Sequence, residues 1–171
     1  PAARDPVGVD RVGRRGVGAG RPGRQQTEVG VEVVHRLRGH ERVYDLYCGI
    51  GTIGLSLAAR AREVIGVEIV EPAVSDAIAN ARINEIENAR FFAGDIRLAM
   101  RELVERTGKP DLAVIDPPRA GLSAKIVRRV IEAAPTRIVY VSCNPTTLAP
   151  NAAQLVEAGY ALRRVRPVDM F

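Results

Sequence analysis

The stretch RVYDLYCGIGTIGLSLAARA, residues 42–61, decides the fold class of this chain. It opens with an apolar run typical of a buried strand, and it ends in a pattern typical of a helix. Between the two lies a loop with glycines at positions 49, 51 and 54, and glycines allow a tight turn and close approach of a ligand. The stretch therefore predicts a strand–loop–helix unit with a ligand site at the loop.

The same alternation continues to the end of the chain. Helical patterns at 71–85, at 97–106, after the capping residue Ser123 and at 146–159 (the last partly broken by a proline) separate five further strands. These strands are EVIGVE (63–68), ARFFAGDI (89–96), DLAVID (111–116), RIVYVSC (137–143) and YALRRVRPV (160–168). Strands that alternate with helices at short spacing predict right-handed βαβ units and a mainly parallel sheet covered on both faces. The predicted fold is therefore a Rossmann-like, three-layer α/β/α domain.

The first 40 residues differ in composition from the rest. Residues 1–25 are rich in arginine and glycine and have no aromatic residue, so they are predicted to be disordered or non-native. Residues 26–40 are predicted to be a linker or a weak helix leading into the domain at 41–171.

Charge and composition exclude several classes of protein. The net charge is +5, but residues 1–38 hold eight arginines against four acids, so the high pI alone does not predict RNA binding. No apolar run approaches the roughly 20 residues of a membrane span, and no signal-peptide pattern opens the chain, which predicts a cytoplasmic protein. Two cysteines and two histidines without a shared spacing predict no metal site.

Carboxylates recur where the predicted strands end. In a parallel sheet these ends meet at one edge, where ligands bind. Glu68 is placed to accept hydrogen bonds from ribose hydroxyls, which suits NAD as well as S-adenosylmethionine. A dinucleotide needs donors for its pyrophosphate, whereas Asp45, Asp95 and Asp116 suit a ligand with a sulfonium and an amino group. The pattern favours S-adenosylmethionine, with an NAD-dependent oxidoreductase as a distant alternative.

Cys143 lies where an apolar strand ends, in VYVSCNPTTL (139–148), and the following Asn144-Pro145 holds the turn rigidly. A free cysteine is usually a small buried hydrophobic residue. At the ligand edge, however, a thiolate can attack carbon 6 of a pyrimidine and make carbon 5 nucleophilic. Cys48 precedes the glycine loop and is predicted to face the core, without a disulfide to Cys143.

Four motifs in order closely resemble the RNA uracil-5 methyltransferases, which make 5-methyluridine in ribosomal or transfer RNA. The motifs are DLYCGIGTIGLSLA, GVEIVEPAVSDAIANARIN, IDPPRAGL and IVYVSCNPTTLAPN, and the resemblance runs from about residue 41 to 171. It implies a class I methyltransferase fold, S-adenosylmethionine as cofactor and an RNA substrate, with the ribosomal-RNA branch favoured over transfer RNA. It also implies a monomeric enzyme with Cys143 as its nucleophile.

The resemblance assigns further residues by position. Arg119 and Asn144, together with Asp116, are expected near the target uracil. The expected cofactor site consists of Tyr47, Gly49, Gly51, Thr52, Glu68, Asp95 and Asp116. Family members also have a cofactor-contacting glutamine upstream, for which Gln26 is a candidate in a different context.

The chain departs from the family pattern at its C-terminus. The family's general base is a glutamate in a segment just after DMF, and this sequence ends at Phe171. We therefore expect the last strand to be missing, and the chain alone to be unable to complete turnover. The alternatives are a non-catalytic, cofactor-binding fragment, or an amino-group methyltransferase, which needs no cysteine.

Overall fold

The computed structural model describes residues 6–11 and 37–167. Strands and helices alternate as predicted from residue 42 onward. In chain order the elements are β1 (Pro6–Arg11), β2 (Arg42–Leu46), α1 (Thr52–Ala58), β3 (Glu63–Glu68), α2 (Glu71–Ile83), β4 (Ala89–Ala93), α3 (Ile96–Thr107), β5 (Leu112–Ile115), α4 (Ala124–Ala133), β6 (Arg137–Val141), α5 (Pro145–Glu157) and β7 (Tyr160–Arg164).

Within the described residues, seven strands form one sheet in the order β4-β3-β2-β5-β6-β1-β7. Strands β4, β3, β2, β5 and β6 are parallel, and β1 pairs antiparallel with both β6 and β7. From β2 the chain adds β3 and β4 toward one edge of the sheet, and from β5 it adds β6 toward the other edge. The strand order therefore reverses between the neighbouring strands β2 and β5. Ligands of open α/β sheets bind outside the carboxyl ends of the strands at such a point.

Helices cover both faces of the sheet. On one face, α3, α4 and α5 pack against strand residues such as Tyr44, Ile115 and Tyr140. On the other, α1 and α2 pack against the alternate strand residues, such as Val43, Val64 and Phe91. Residues on successive positions of one strand thus enter different cores, as the two-residue period of a strand requires. The predicted three-layer α/β/α arrangement is confirmed.

Two sequence predictions differ from the structure. Pro6–Arg11, placed in the segment 1–25 predicted to be disordered or non-native, form strand β1, which pairs antiparallel with β6 and β7. The remainder of residues 1–25, and residues 26–36 of the predicted linker, lie outside the described residues. The second difference is α5, which runs unbroken from Pro145 to Glu157 with Pro150 inside it. A cap at Asn144 and a buried anchor at Asn151 hold this helix on both sides of the proline.

None of the helices in the described part of the chain is both long enough and apolar enough to cross a membrane.

Gly66 allows the closest packing in the sheet, and we expect its replacement by alanine to destabilise the domain. A Cβ at this position would lie 2.3 Å from Cδ1 of Phe91 and 2.9 Å from Sγ of Cys48. Inserting a methyl group into so tight a site should lower the free energy of unfolding by about 2–3 kcal/mol, measured by urea denaturation.

Gly94→Ala is the matched control, because a Cβ there would make only an ordinary 3.5 Å contact with Ala99. Equal stabilities of the Gly66→Ala and Gly94→Ala variants would show that Phe91 can move aside at little cost.

Candidate active site

The register of the parallel strands brings the predicted site residues to one edge of the sheet. Leu46 of β2 aligns with Val67 of β3 and with Ile115 of β5, and Ile115 aligns with Tyr140 of β6. The residues that follow these positions therefore leave the sheet side by side. We call this edge the rim, and it carries Tyr47, Glu68, Asp95, Asp116 and Cys143.

The glycine loop turns sharply between β2 and α1. Gly49 and Gly51 have φ values of 52° and 84°, and Tyr47 adopts a positive φ of 62°, which is uncommon for a residue with a side chain. A Cβ at Gly51 would also lie 2.9 Å from the ring of Phe91. Thr52 is the first residue of α1 and is exposed beside this turn. The positive φ values allow the sharp turn, and Gly51 packs against Phe91 where a side chain would not fit.

Glu68 ties the end of β3 to the glycine loop. Its Oε2 accepts a hydrogen bond from the backbone N–H of Gly49 at 3.1 Å, and its Oε1 accepts from Ile69 at 2.8 Å and from Val70 at 3.1 Å. The carboxylate is 9% exposed. Because Oε2 accepts only one of these bonds, it retains a lone pair for a further donor, and the ribose contact stays a prediction.

Asp45 lies beneath the same loop and is fully buried. Its Oδ2 accepts a hydrogen bond from the N–H of Gly54 at 2.7 Å, while Oδ1 has no partner within the described residues. Burial raises the pKa of Asp45 to about 7, with further contributions from the negative charges of Asp116 and Glu68. Three acidic groups thus share one region, and a cation at the rim would relieve their repulsion.

Asp95 caps α3 by accepting a hydrogen bond from the N–H of Arg97 at 2.8 Å. The guanidinium of Arg97 also forms an ion pair with this carboxylate, and its hydrogen bond lowers the pKa of Asp95. Tyr47 is half-buried beside them, and burial raises the pKa of its hydroxyl. The sequence predicted Asp95 and Tyr47 at the rim, but it did not predict the pairing with Arg97.

Cys143 is an exposed free thiol, two residues beyond the end of β6. The turn behind it is fixed by Ser142, whose hydroxyl accepts a hydrogen bond from the N–H of Asn144 at 3.1 Å. Asn144 caps α5 through Thr146, and its Nδ2 donates to the carbonyl of Arg119 at 3.1 Å. Asn144 thus stabilises the start of α5 and its contact with the loop that carries Arg119. Its contact with a substrate stays a prediction.

Cys48 has a different environment. It is 8% exposed and packs with Phe91 and Ala77, as the sequence predicted. Burial, together with the nearby negative carboxylates of Asp45 and Glu68, raises the pKa of its thiol to about 12. Since the thiolate is the nucleophilic form, Cys48 is a poor nucleophile at neutral pH, and Cys143 is the exposed one of the two free cysteines.

Comparison with known proteins bears on this arrangement. A sequence model described as tRNA (uracil-5-)-methyltransferase matches residues 24–171. The chain belongs to this family. Its relatives include an uncharacterized RNA methyltransferase of Enterococcus faecalis, 52% identical over 150 residues, which covers 86% of this chain and 33% of the relative. A second such protein, from Geobacter sulfurreducens, is 55% identical over 135 residues, or 79% of this chain and 27% of the relative. The chain spans about a third or less of the length of these relatives.

Solved structures agree with this family. The tRNA (uracil-54, C5)-methyltransferase of Pyrococcus abyssi, determined in complex with S-adenosyl-L-homocysteine, matches with a TM-score of 0.60 and 36% identity over 73% of this chain and 31% of that chain. Precorrin-6y C5,15-methyltransferase of Geobacter metallireducens matches with a TM-score of 0.67 at 16% identity over 78% of this chain and 71% of that chain, which supports the fold alone. The resemblance to RNA uracil-5 methyltransferases and the class I methyltransferase fold are confirmed. The cofactor predicted for the family, S-adenosylmethionine, is confirmed with them.

Proposed function

We propose that the protein transfers a methyl group from S-adenosylmethionine to carbon 5 of a uridine in RNA, through a covalent bond to Cys143. The observation that carries this proposal is an exposed thiol held at the rim of a uracil-5 methyltransferase domain. An enzyme that methylates an exocyclic amino group has no need of a nucleophile there.

The residues at the rim fit the cofactor. The partnerless Oδ1 of Asp45 and the acidic groups of Glu68 and Asp116 form a negative region suited to a ligand with a sulfonium and an ammonium group. We propose that Glu68 accepts from the ribose hydroxyls, and that Tyr47, Asp95 and Thr52 line the remainder of the site. Gly49, where a Cβ would meet nothing within 4 Å, leaves its backbone accessible, and Gly51 fixes the turn through its positive φ. Bound there, S-adenosylmethionine would supply a methyl group activated by its positive sulfur.

Cys143 supplies the nucleophile that the reaction needs, because carbon 5 of uracil is by itself a poor nucleophile. Attack of the thiolate forms a bond between Sγ and carbon 6, and the electrons of the 5,6 double bond move toward carbon 5 and the neighbouring carbonyl. Carbon 5 can then accept the methyl group. Loss of the carbon-5 proton to a base and release of Cys143 restore the double bond. We propose that Asp116 and Arg119, which follow the strand beside Cys143, contact the uracil.

The RNA is proposed to be ribosomal, because DLYCGIGTIGL and SCNPTTLA resemble that branch. An RNA substrate favours the cytoplasm as the place of action. The fold gives no reason to invoke a second copy of the chain at the rim, and we propose a monomer.

The test is a trapping experiment with 5-fluorouridine in RNA, because fluorine at carbon 5 cannot leave as a cation and the covalent adduct persists. The chain is incubated with S-adenosylmethionine and substituted ribosomal or transfer RNA, and the products are separated on a denaturing gel. We expect a complex whose mass equals chain plus RNA plus one methyl group, with the RNA attached to the peptide that contains Cys143.

Titration with S-adenosylhomocysteine, with NAD in parallel, separates the two parts of the proposal. If the homocysteine compound binds and no adduct forms with either RNA, the cofactor site stands and the uridine carbon-5 chemistry is wrong. A methyl group found on an amino nitrogen of the RNA would identify the alternative reaction.

A further inference from the structure

Three polar side chains, at the cap of α5 and along one face of it, form hydrogen bonds to the loop that follows β5. Asn144, Thr147 and Asn151 are spaced three and four residues apart, so they lie above one another on the helix. All three bond to the loop of residues 117–122, which carries Arg119. We call these three residues the α5 clamp.

Asn151 is the buried end of the clamp. It is 5% exposed, and its amide pairs with the backbone of Leu122 in both directions. Oδ1 accepts from the N–H of Leu122 at 2.8 Å, and Nδ2 donates to its carbonyl at 3.0 Å. The hydroxyl of Tyr140 on β6 donates to the same Oδ1 at 2.9 Å. A buried amide is costly unless it is bonded, and here it joins a helix, a strand and a loop.

The exposed end of the clamp holds the backbone of Arg119. The carbonyl oxygen of Arg119 accepts from Nδ2 of Asn144 at 3.1 Å and lies 3.1 Å from Oγ1 of Thr147, whose single proton is shared with the carbonyl of Asn144, also at 3.1 Å. Gly121 makes this approach possible: it has a φ of 72°, and a Cβ there would lie 2.8 Å from Oδ1 of Asn151 and 3.0 Å from Cβ of Thr147. The loop therefore approaches the side chains of α5 closely at Gly121, where the loop itself has no side chain.

The clamp links two groups that come from different strands. Helix α5 begins one residue after its cap Asn144, which directly follows Cys143. The loop it grips begins directly after Asp116 at the end of β5. Fixing the loop to the helix thus sets the distance between the Cys143 turn and the Asp116–Arg119 turn.

We propose that Asn151 and Thr147 are positioning residues, which hold Arg119 and Asp116 against the Cys143 turn so that both sides reach one uracil. This inference rests on the proposed function, because it assigns the clamp a part in the Cys143 reaction. Neither residue touches the substrate in this proposal. Their effect is transmitted through the backbone of the loop.

The test compares Asn151→Leu and Thr147→Val with the control Asn88→Leu. Asn88 also bridges loop backbone, donating to the carbonyls of Ala58 at 2.8 Å and of Ala61 at 2.9 Å, but it lies at the start of β4 away from Cys143. Three quantities are measured for each variant: the rate of adduct formation with 5-fluorouridine RNA at saturating RNA, the affinity for S-adenosylhomocysteine, and amide hydrogen exchange of residues 117–122.

We expect Asn151→Leu to slow adduct formation by about 100-fold, since a shift of about 1 Å between reacting groups has effects of this size. Thr147→Val should slow it by about 5-fold, because one bond of two to Arg119 is lost. Affinity for S-adenosylhomocysteine should change by less than about twofold, since the clamp lies on the uracil side of the rim. Exchange at Leu122 should rise by about 10-fold in Asn151→Leu and stay unchanged in Asn88→Leu.

A merely structural role would give a different pattern. If Asn151→Leu and Thr147→Val form the adduct at the wild-type rate even though exchange at Leu122 rises in Asn151→Leu, the proposal is overturned. If Asn151→Leu does not fold, Thr147→Val decides, because it removes one partly exposed hydroxyl. If the wild-type chain forms no adduct, the proposed uridine chemistry is wrong, and so is the catalytic role assigned to the α5 clamp. The exchange data on Leu122 then show separately whether the clamp exists.

Discussion

Replacing Cys143 by alanine should abolish adduct formation and methyl transfer, with a loss of at least about 10⁴-fold in rate. The thiol is exposed at the rim, and its removal takes away the only group we assign to attack on carbon 6. Affinity for S-adenosylhomocysteine should stay within about twofold, because the side chains proposed for the cofactor site lie at the carboxyl ends of β2, β3, β4 and β5 and at the start of α1 rather than at the end of β6. The measurement is the covalent complex with 5-fluorouridine RNA, together with calorimetric titration of each variant.

Cys48→Ala is the matched control for this substitution. Cys48 is buried with a raised thiol pKa, so its loss should leave the adduct rate within about threefold of wild type while lowering stability slightly. If Cys143→Ala and Cys48→Ala both still methylate RNA, the covalent mechanism is contradicted. That result would support instead an amino-group methyltransferase that uses the same fold.

The residues of the rim could be predicted from the sequence because short, local sequence patterns mark them. An apolar run that ends in a polar or glycine-containing turn marks the carboxyl end of a strand, and parallel pairing then brings such ends together. Glu68, Asp116 and Cys143 were found in this way, and the register places them as expected.

The α5 clamp and the Asp95–Arg97 pair were not predicted, because they depend on how side chains meet in three dimensions. Asn151 stands among apolar residues of a helix, which signals a buried amide, but its partner Leu122 is 29 residues away. Strand β1 was missed for another reason. Its valines at 7 and 9 alternate as in a strand, yet six residues within an arginine- and glycine-rich segment carry too weak a pattern.

Asp45→Asn should make the stability of the protein less sensitive to pH between 5 and 8. In the folded protein burial raises the pKa of Asp45 from 3.8 to about 7, so the folded state binds a proton that the unfolded state has lost. The free energy of unfolding therefore falls as pH rises from about 4 to about 7, by about 4 kcal/mol for a shift of this size. Asparagine cannot titrate, and this decline should be absent from the variant.

The quantity to measure is the difference in free energy of unfolding between Asp45→Asn and wild type, by urea denaturation at pH 5 and pH 8. The free energy of unfolding of Asp45→Asn minus that of wild type should increase by about 3 kcal/mol from pH 5 to pH 8. Other titrating groups are common to both proteins, so their effects cancel in this difference. Asp95→Asn is the control. The pKa of Asp95 is lowered by Arg97, so the stability that Asp95 contributes is lost only as pH falls below about 4, outside the interval. Parallel profiles for wild type and Asp45→Asn would mean that Asp45 is already ionised at pH 5, and that its Oδ1 has a donor.

The same linkage connects Asp45 to the cofactor. A cationic ligand at the rim favours the ionised carboxylate, so binding should release a proton near pH 7 and should tighten as pH rises through the pKa of Asp45. S-adenosylmethionine carries the sulfonium charge and S-adenosylhomocysteine does not. The ratio of their affinities should therefore increase from pH 6 to pH 8 in wild type and stay constant in Asp45→Asn.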